Sequence, residues 1–238
     1  MKFRLLLTAC TLLILQTAWA ETLHIVTENY PPFNYWADDG KSVTGLSVDI
    51  AAEMAKRTGM EIKTDIYPWA RALLLAERSS DTCVISTIRT PDRENKFRWI
   101  GPIVSDKLAL FALSDSDMHL NTLADAKKYM VGTYIGSASI PILEQQGVRY
   151  DVVQTDTLNL KKIQARRIDL WVASLKTGSF EAKREGVKIK PALTFGESSD
   201  MYLACGRSMG DGSASRLSQA LASMRNDGTL AALEQKYQ

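Results

Sequence analysis

Hydrophobic and polar residues change their period along the first part of the chain, from alternation to helical spacing and back. Leu46, Ile50 and Met54 share one face of a helix, and this apolar stripe stops at Gly59. The whole pattern predicts strand, helix, strand, helix and strand at residues 23–27, 46–58, 62–66, 69–78 and 82–88. Such alternation favours a parallel sheet with right-handed crossovers.

A second series of strands and helices occupies the middle of the chain. Strands are predicted at 108–113, 130–135, 150–154 and 168–173, with helices capped by Thr122, opening at 136–141 and running from about 156 to 166. Extended, glycine-bearing connections flank this series at 97–107 and 194–208, and helices at 215–226 and 229–237 follow. The α/β alternation therefore occurs twice, which suits two modest lobes or one large one.

The N-terminal residues have the pattern of a targeting segment. Lys2 and Arg4 precede an apolar run at 5–15, and an A-W-A sequence follows. This pattern predicts that residues 1–20 are a secretory signal peptide, since the apolar run is too short for a membrane anchor. We expect the mature protein to begin at Glu21 and to reside in the periplasm.

Charge and composition narrow the classes of partner. Lys and Arg total 29 against 27 for Asp and Glu, and the leader alone carries the surplus of +2. A formally neutral mature protein does not indicate nucleic-acid binding. Without a second long apolar stretch, we expect the mature protein to be soluble.

Two cysteines, Cys83 and Cys205, remain after the predicted leader, each within an apolar strand-like run. An oxidising compartment permits a disulfide between them. The alternative is two separate buried thiols that act as small hydrophobic side chains, and the residues alone slightly favour it.

Six segments, taken in sequence order, carry a family resemblance. They are YPPFNY (30–35), DDGKSVTGLSVDIAAEMAKRTG (38–59), TIRTPDRENKFRWIGPI (87–103), VGTYIGSAS (131–139), RRIDLWVAS (166–174) and LASMRNDGTLAALEQKY (221–237). Together they resemble the family 3 extracellular solute-binding proteins, the polar amino acid type that serves ABC transporters. The resemblance covers essentially the whole mature chain.

This resemblance implies an α/β, two-lobed periplasmic-binding-protein-like fold of type II, with two parallel or mixed sheets joined by two hinge strands. It divides the mature chain into lobe 1, at 21–103 and 202–238, and lobe 2, at 104–201. The hinge crossings are expected near 101–107 and 197–202. In that topology Cys205 joins the same sheet as Cys83, so a disulfide stays open as a possibility.

Arg93 is the leading candidate for ligand binding. Thr90 and Pro91 suit the N-cap and first position of a helix that begins just after strand 82–88. Open α/β sheets bind ligands at this edge, and a guanidinium fork matches a carboxylate. By resemblance, Arg93 corresponds to the arginine that grips the ligand's α-carboxylate. The alternative is a surface arginine paired with Asp92 or Glu94.

Arg89 and Arg71 are further cationic candidates near the same edge. Several arginines in one pocket would suit an anionic ligand such as a dicarboxylate or an acidic amino acid. Alternatively, Arg89 pairs with Asp92 to hold the loop, and Arg71 is solvated. Ser86, in the strand before Arg89, is also included among the candidate ligand-binding residues.

The resemblance assigns aromatic and acidic side chains to the same wall of the cleft. Tyr30, Phe33 and Trp69 match positions where relatives stack rings on the ligand, although core filling is the preferred interpretation for Phe33. Glu28 matches a region where relatives place an acid facing a cationic group of the ligand. Its partner is alternatively one of the arginines.

Serines from the second lobe complete the candidate site. Ser137 or Ser139 caps a helix whose N-terminus is expected to donate hydrogen bonds to a carboxylate, although capping alone also explains them. Ser174 departs from the family pattern, because amino-acid-binding relatives carry an aspartate there for the α-ammonium. An α-amino acid ligand therefore requires Glu28 or another acid instead. Trp171 suits either core or cleft.

The resemblance implies a function of binding and delivery. We expect a periplasmic protein, monomeric and without a cofactor, that closes on a small carboxylate-bearing solute and passes it to an ABC permease in the inner membrane. An enzyme on the same fold, resembling cyclohexadienyl dehydratase with Glu28 as general acid, is one alternative. A ligand-presenting sensor is another. Only two histidines occur, with no Ser-His-Asp or metal-spaced cluster, so no catalysis is expected.

Overall fold

A computed structural model gives the fold, and it describes residues 21–237. The signal peptide predicted at residues 1–20 lies outside the described residues. In the described range, no helix combines the length and the apolar character that crossing a lipid bilayer requires.

The N-terminal part of the chain forms a parallel layer of strands with helices between them. Its elements are β1 (Thr22–Thr27), β2 (Tyr35–Trp36), β3 (Val43–Thr44), α1 (Leu46–Thr58), β4 (Glu61–Ile66), α2 (Trp69–Arg78), β5 (Thr82–Ile88) and α3 (Pro91–Glu94). Strand β1 pairs in parallel with both β4 and β5. The period change therefore predicted this layer, and α1 ends as expected at Gly59, whose φ of 70° suits a residue without Cβ.

The rest of the chain builds a second layer and then returns to the first. Its elements are β6 (Phe97–Leu113), a 3-10 helix (Leu123–Lys128), β7 (Val131–Tyr134), α4 (Ser139–Gln145), β8 (Tyr150–Val153), α5 (Leu158–Gln164), β9 (Leu170–Ser174), α6 (Leu175–Glu185), β10 (Ile189–Gly206), α7 (Asp211–Asn226) and α8 (Thr229–Lys236). Strand β7 pairs in parallel with β8 and β9. The α/β series thus occurs twice, as the pattern predicts.

Two long strands, β6 and β10, connect the two layers. They pair antiparallel along almost their whole length, and their register shifts between Phe195 and Ser199, opposite Asp106 and Leu108. Within residues 21–237 the main sheet has the order β4-β1-β5-β10-β6-β9-β7-β8. The fold is the predicted two-lobed α/β fold with mixed sheets. The residue boundaries of the two lobes stay a prediction.

We use lobe 1 for the side that contains β1, β4 and β5, and lobe 2 for the side that contains β7, β8 and β9. The C-terminal helices belong to the core of lobe 1, since Leu217, Leu221 and Met224 of α7 pack with Ile50 and Met54 of α1. Separate apolar clusters fill the two faces of the lobe 2 sheet. Each lobe therefore has its own core.

Helix α6 is absent from the sequence prediction. Its interior holds Gly178, which lowers helix propensity and interrupts the apolar stripe. The glycine is required by packing, because a Cβ at this position would lie 2.2 Å from an atom of the Phe111 ring. Close approach of α6 to the sheet therefore explains why local pattern and structure disagree.

Cys83 of β5 and Cys205 of β10 are directly opposite one another in the antiparallel pair. The two side chains form a disulfide bond, and the Cα atoms are 3.9 Å apart. The interpretation as two separate thiols, which the residues alone slightly favoured, is therefore wrong. The bond ties the returning strand β10 to the parallel layer of lobe 1.

Candidate functional site

A narrow cavity lies where the carboxyl ends of the strands of both lobes meet. Its volume is about 30 Å³, which is room for about two water molecules. Lobe 1 contributes Tyr30, Trp69, Ser86 and Arg93, and lobe 2 contributes Tyr134, Ser137, Ser139, Asp156 and Ser174. This is the edge where open α/β sheets bind ligands.

Arg93 is buried at this edge, with 6% of its surface exposed. Its guanidinium donates to the backbone carbonyl of Ile88 at 3.1 Å and, across the cleft, to that of Gly136 at 2.5 Å. Burial lowers the pKa of Arg93, although Tyr134 and the nearby acids act against this effect. Arginine nevertheless stays protonated in proteins, so a buried positive fork faces the cleft. Neither Asp92 nor Glu94 forms an ion pair with it.

Trp69 closes the cleft beside Arg93. Its Nε1 donates to the same Gly136 carbonyl at 3.0 Å, and the Arg93 guanidinium lies 5.7 Å from the centre of a Trp69 ring. The Gly136 carbonyl accepts both hydrogen bonds. Gly136 itself lies in a turn and has φ of 79°. One carbonyl of lobe 2 therefore holds two side chains of lobe 1.

Tyr30 lines the same cavity. Its ring stacks on Phe33 at 5.6 Å, and Phe33 is fully buried in the lobe 1 core, as expected. Burial, helped by Asp156, raises the pKa of Tyr30. The hydroxyl therefore stays protonated and can donate a hydrogen bond toward the cleft.

Ser86 lines the cavity but its hydroxyl is engaged within lobe 1. It donates to Asn34 Oδ1 at 2.5 Å and lies 2.9 Å from Ser47 Oγ. The backbone of Ser86 has φ of 58°, a conformation that is unfavourable for a side chain with Cβ. The hydrogen bonds and the irregular register of β5 beside β10 hold it there.

Glu28, which directly follows β1, is a buried acid with 3% of its surface exposed. Its Oε2 is buried and has no hydrogen-bond partner among the described residues. Burial, reinforced by Asp156, raises the pKa of Glu28 well above its ordinary value, while Tyr134 and Arg93 oppose the rise. Glu28 therefore responds electrostatically to groups from both lobes.

Asp156 and Tyr134 line the cavity, and the sequence reasoning did not assign either to the site. Asp156 is fully buried, its Oδ1 accepts from Trp171 Nε1 at 2.8 Å, and its Oδ2 has no partner among the described residues. Burial raises the pKa of Asp156 to about 7. The sequence could have identified both as candidate site residues, because they lie at or just after the carboxyl ends of β7 and β8. Trp171 itself belongs to the core.

Ser174 caps a helix rather than standing free in the cleft. Its hydroxyl accepts from the backbone N–H of Thr177 at 3.1 Å and donates to Asp106 Oδ2 at 2.7 Å. Asp106 also accepts from the backbone N–H groups of Lys176 and Lys107. Ser174 thus joins the start of α6 to an acid on β6 in the region of the register shift.

Ser137 and Ser139 are buried and hydrogen-bonded to one another through their hydroxyls at 2.8 Å. Ser139 also pairs with Thr133, and its backbone N–H donates to Ser137 Oγ at 3.2 Å. Both line the cavity at the start of α4. They therefore order the turn that presents the Gly136 carbonyl.

The structure places Arg89 and Arg71 outside the cavity. Arg89 is exposed, forms an ion pair with Glu94 and stacks near the Trp99 ring at 5.6 Å. Arg71 is exposed and lies 4.8 Å from the centre of the Tyr67 ring. Neither side chain lines the cavity. An ion pair within the loop for Arg89, and a solvated position for Arg71, are therefore the alternatives that agree with their surroundings.

Comparisons with known proteins agree with this architecture. The L-cystine-binding protein TcyJ of Escherichia coli (strain K12) is 26% identical over 213 residues, which cover 87% of this chain and 79% of that protein. The L-cystine-binding protein TcyA of Bacillus subtilis (strain 168) is 23% identical over 209 residues, covering 87% and 77%.

Solved structures show the same fold. An ancestral arginine-binding protein bound to arginine superposes with a TM-score of 0.82 at 20% identity, covering 91% of this chain and 98% of that chain. A histidine kinase sensor domain with similarity to periplasmic binding proteins gives 0.85 at 19% identity, covering 92% and 96%. The family model described as bacterial extracellular solute-binding proteins, family 3, matches residues 23–238. The chain therefore belongs to family 3 of the bacterial extracellular solute-binding proteins.

Proposed function

We propose that this protein captures a small carboxylate-bearing solute between its two lobes and delivers it to an ABC-type importer. The observation that carries this proposal is the buried guanidinium of Arg93, which bridges the lobes through Gly136. A buried guanidinium is stabilised by two parallel hydrogen bonds to a carboxylate, and these are stronger than its present bonds to neutral carbonyls. The carboxylate of the solute replaces the Gly136 carbonyl as the partner of Arg93.

Lobe motion is part of the proposal. The cavity of about 30 Å³ is smaller than any amino acid, so the lobes separate to admit the solute and close again around it. Hinge closure of this kind is established for periplasmic binding proteins. Strands β6 and β10 supply the hinge, where their register shifts near Asp106 and Ser199. The solute stabilises the closed form through its greater affinity for that form.

Delivery to an ABC importer rests on the similar proteins. Relatives include L-cystine-binding proteins, and similar structures include the substrate-binding protein of an amino acid ABC transporter. We expect the same broad class of solute, an amino acid or a related organic acid, and the same periplasmic or extracellular location. A permease partner and a monomeric state are further expectations, and gel filtration tests the second.

The test begins with a thermal-shift screen of the mature protein against amino acids, dicarboxylates and other organic acids. A bound compound stabilises the protein by RT ln(1 + [L]/Kd), so micromolar binders are detected at millimolar concentration. Calorimetry with the strongest compound is then repeated on Arg93→Ala and Arg93→Lys. We expect Arg93→Ala to weaken binding by more than roughly tenfold, since it removes the charge-assisted pair.

Arg89→Ala is the matched control, because Arg89 is a nearby arginine outside the cavity. Its removal leaves affinity unchanged under the proposal. Arg93→Lys keeps the charge and loses the planar fork, so an intermediate affinity indicates bidentate recognition. Equal affinity of the wild type and Arg93→Ala contradicts the proposed role.

A further inference from the structure

The two lobes also touch at a place outside the cavity. The ring of Tyr35, on β2 of lobe 1, and the ring of Phe180, on α6, have their centres 5.4 Å apart and their planes tilted by 53°. Tilted aromatic pairs at this separation attract one another beyond the effect of the area that they bury. Neither ring lines the cavity. The contact therefore joins the lobes without forming part of the solute site.

Tyr35 belongs to a hairpin that is fixed to lobe 1. Strands β2 and β3 pair antiparallel, and the backbone N–H of Trp36 donates to Asn29 Oδ1 at 3.3 Å. Beyond the hairpin, the backbone N–H of Ser47 donates to the carbonyl of Phe33 at 2.9 Å. Phe33 lies in the core of lobe 1. The hairpin is therefore held at both ends and moves with that lobe.

Phe180 belongs to a helix that is fixed to lobe 2 and to a hinge strand. Ser174 caps α6 and donates to Asp106 Oδ2 on β6 at 2.7 Å, beside the register shift of that strand. In the next turn, Gly178 packs against the ring of Phe111, which is also on β6 and belongs to a core cluster of lobe 2. Rotation of lobe 2 about the hinge therefore carries Phe180 toward or away from the hairpin.

Lys176, in the first turn of α6, supports the same junction. Its Nζ lies 6.0 Å from the centre of the Phe33 ring in lobe 1, near the outer limit for attraction between a cation and an aromatic face. Tyr35 and Phe180 are themselves half-buried. Separation of the lobes would expose the facing surfaces of both rings to water, which is unfavourable. The junction between α6 and the hairpin therefore favours the closed arrangement of the lobes.

We propose that Tyr35 and Phe180 form an aromatic latch that holds the lobes closed and thereby slows release of the solute. This inference rests on the proposed function, in which the lobes open to admit and release the solute. The two rings are positioning residues, because they act on the solute through closure rather than through contact. Release requires the rings to separate, whereas capture begins with the lobes already apart. The latch therefore sets how long the solute stays bound, and Arg93 sets which chemical group is recognised.

The kinetic test uses the compound that gives the largest thermal shift in the screen of amino acids, dicarboxylates and other organic acids. Stopped-flow tryptophan fluorescence measures its association and dissociation rates, since Trp69 lies at the cleft and reports closure. In Tyr35→Ala and in Phe180→Ala, we expect dissociation to be roughly three- to tenfold faster and association not to be slower. The double variant is expected to release no faster than the faster single variant, because both changes remove one contact.

Two further variants on the same strand separate the latch from a general effect on the fold. Tyr35→Phe keeps the ring and loses the hydroxyl, so it is expected to release the solute at the wild-type rate. Trp36→Ala is the matched control, because Trp36 is the adjacent aromatic residue and 43% of its surface is exposed. It is also expected to release at the wild-type rate. Faster release by Trp36→Ala to the same extent as by Tyr35→Ala would overturn the latch.

Small-angle X-ray scattering of the ligand-free mature protein tests the latch without any solute. Tyr35→Ala and Phe180→Ala are expected to have a larger radius of gyration than the wild type, and Trp36→Ala the same one. Equal values for all four proteins contradict the latch.

The outcomes separate this inference from the proposed function. Binding that depends on Arg93, together with wild-type release rates in Tyr35→Ala and Phe180→Ala, overturns the latch and leaves the proposed function intact. Binding of no compound in the screen counts against the proposed function, and the scattering comparison still supports or overturns the latch. Slower association with unchanged dissociation in the two alanine variants also contradicts the latch, because it would place the rings on the path of entry.

Discussion

The buried carboxyl of Asp156 gives a stability that depends on pH. Burial raises its pKa from 3.8 to about 7, a difference that corresponds to roughly 4 kcal/mol. Between these values the native protein holds a proton that the unfolded chain releases, so stability falls as pH rises. The favourable contribution is fully present below about pH 4 and is lost as pH rises through about 7.

Replacing Asp156 with asparagine removes this titration. The variant keeps an oxygen to accept from Trp171 Nε1, and its amide stays neutral at every pH. At pH 8 we expect Asp156→Asn to be more stable than the wild type by up to roughly 4 kcal/mol. The new amide donors reduce this gain, because they lack partners in the same buried position.

The assay is urea unfolding of the ligand-free mature protein at several pH values between 4 and 8. Glu28 titrates in both proteins, and its pKa is raised in part by Asp156. The difference between the two curves therefore reports Asp156 together with its coupling to Glu28. Asp151→Asn is the control, because Asp151 pairs with Lys162 and 42% of its side-chain surface is exposed. Parallel pH profiles for the wild type and Asp156→Asn would refute the reasoning that this carboxyl is buried and protonated.

Three further predictions concern the closure, the packing of α6 and the disulfide. Trp69→Phe removes the Nε1 bond to Gly136, and calorimetry is expected to show solute affinity weakened by roughly three- to tenfold; unchanged affinity would argue against closure through this contact. Gly178→Ala places a Cβ 2.2 Å from the Phe111 ring, and urea unfolding is expected to show a free energy of unfolding lower by ~1–3 kcal/mol. The control Gly212→Ala has open space around it and is expected to raise the free energy of unfolding by ~0.5–1 kcal/mol. Similar effects of the two variants would contradict the packing account. Thiol titration of the denatured, unreduced mature protein is expected to find no free thiol, since Cys83 and Cys205 are bonded; two reactive thiols would overturn the bond.

The period of the hydrophobic pattern predicted most of the fold, because each strand and helix of the two series buries one face or stripe of its own. Prediction failed where long-range packing overrides local preference. Gly178 is the reason that helix α6 was not predicted. Glycine lowers helix propensity, but it is needed here to leave room for the Phe111 ring. The glycine-bearing connections proved to be parts of β6 and β10, whose pairing partners lie far away in sequence.

The candidate site could be predicted only in part for the same reason. Arg93 and Trp69 follow strands closely, so their position at the sheet edge is readable from the sequence. The position of Asp156 after a strand can be predicted equally well. Its hydrogen bond to Trp171, and the lack of a partner for its Oδ2 among residues 21–237, depend on long-range packing. Arg89 pairs with Glu94 at the surface and does not line the cavity.

The most direct test of the central claim is a crystal structure of the mature protein with the strongest binder from the screen. The account predicts that the solute lies between the lobes, with its carboxylate within hydrogen-bonding distance of the Arg93 guanidinium. A solute bound elsewhere on the protein, or bound between the lobes with Arg93 turned into solvent, would contradict it.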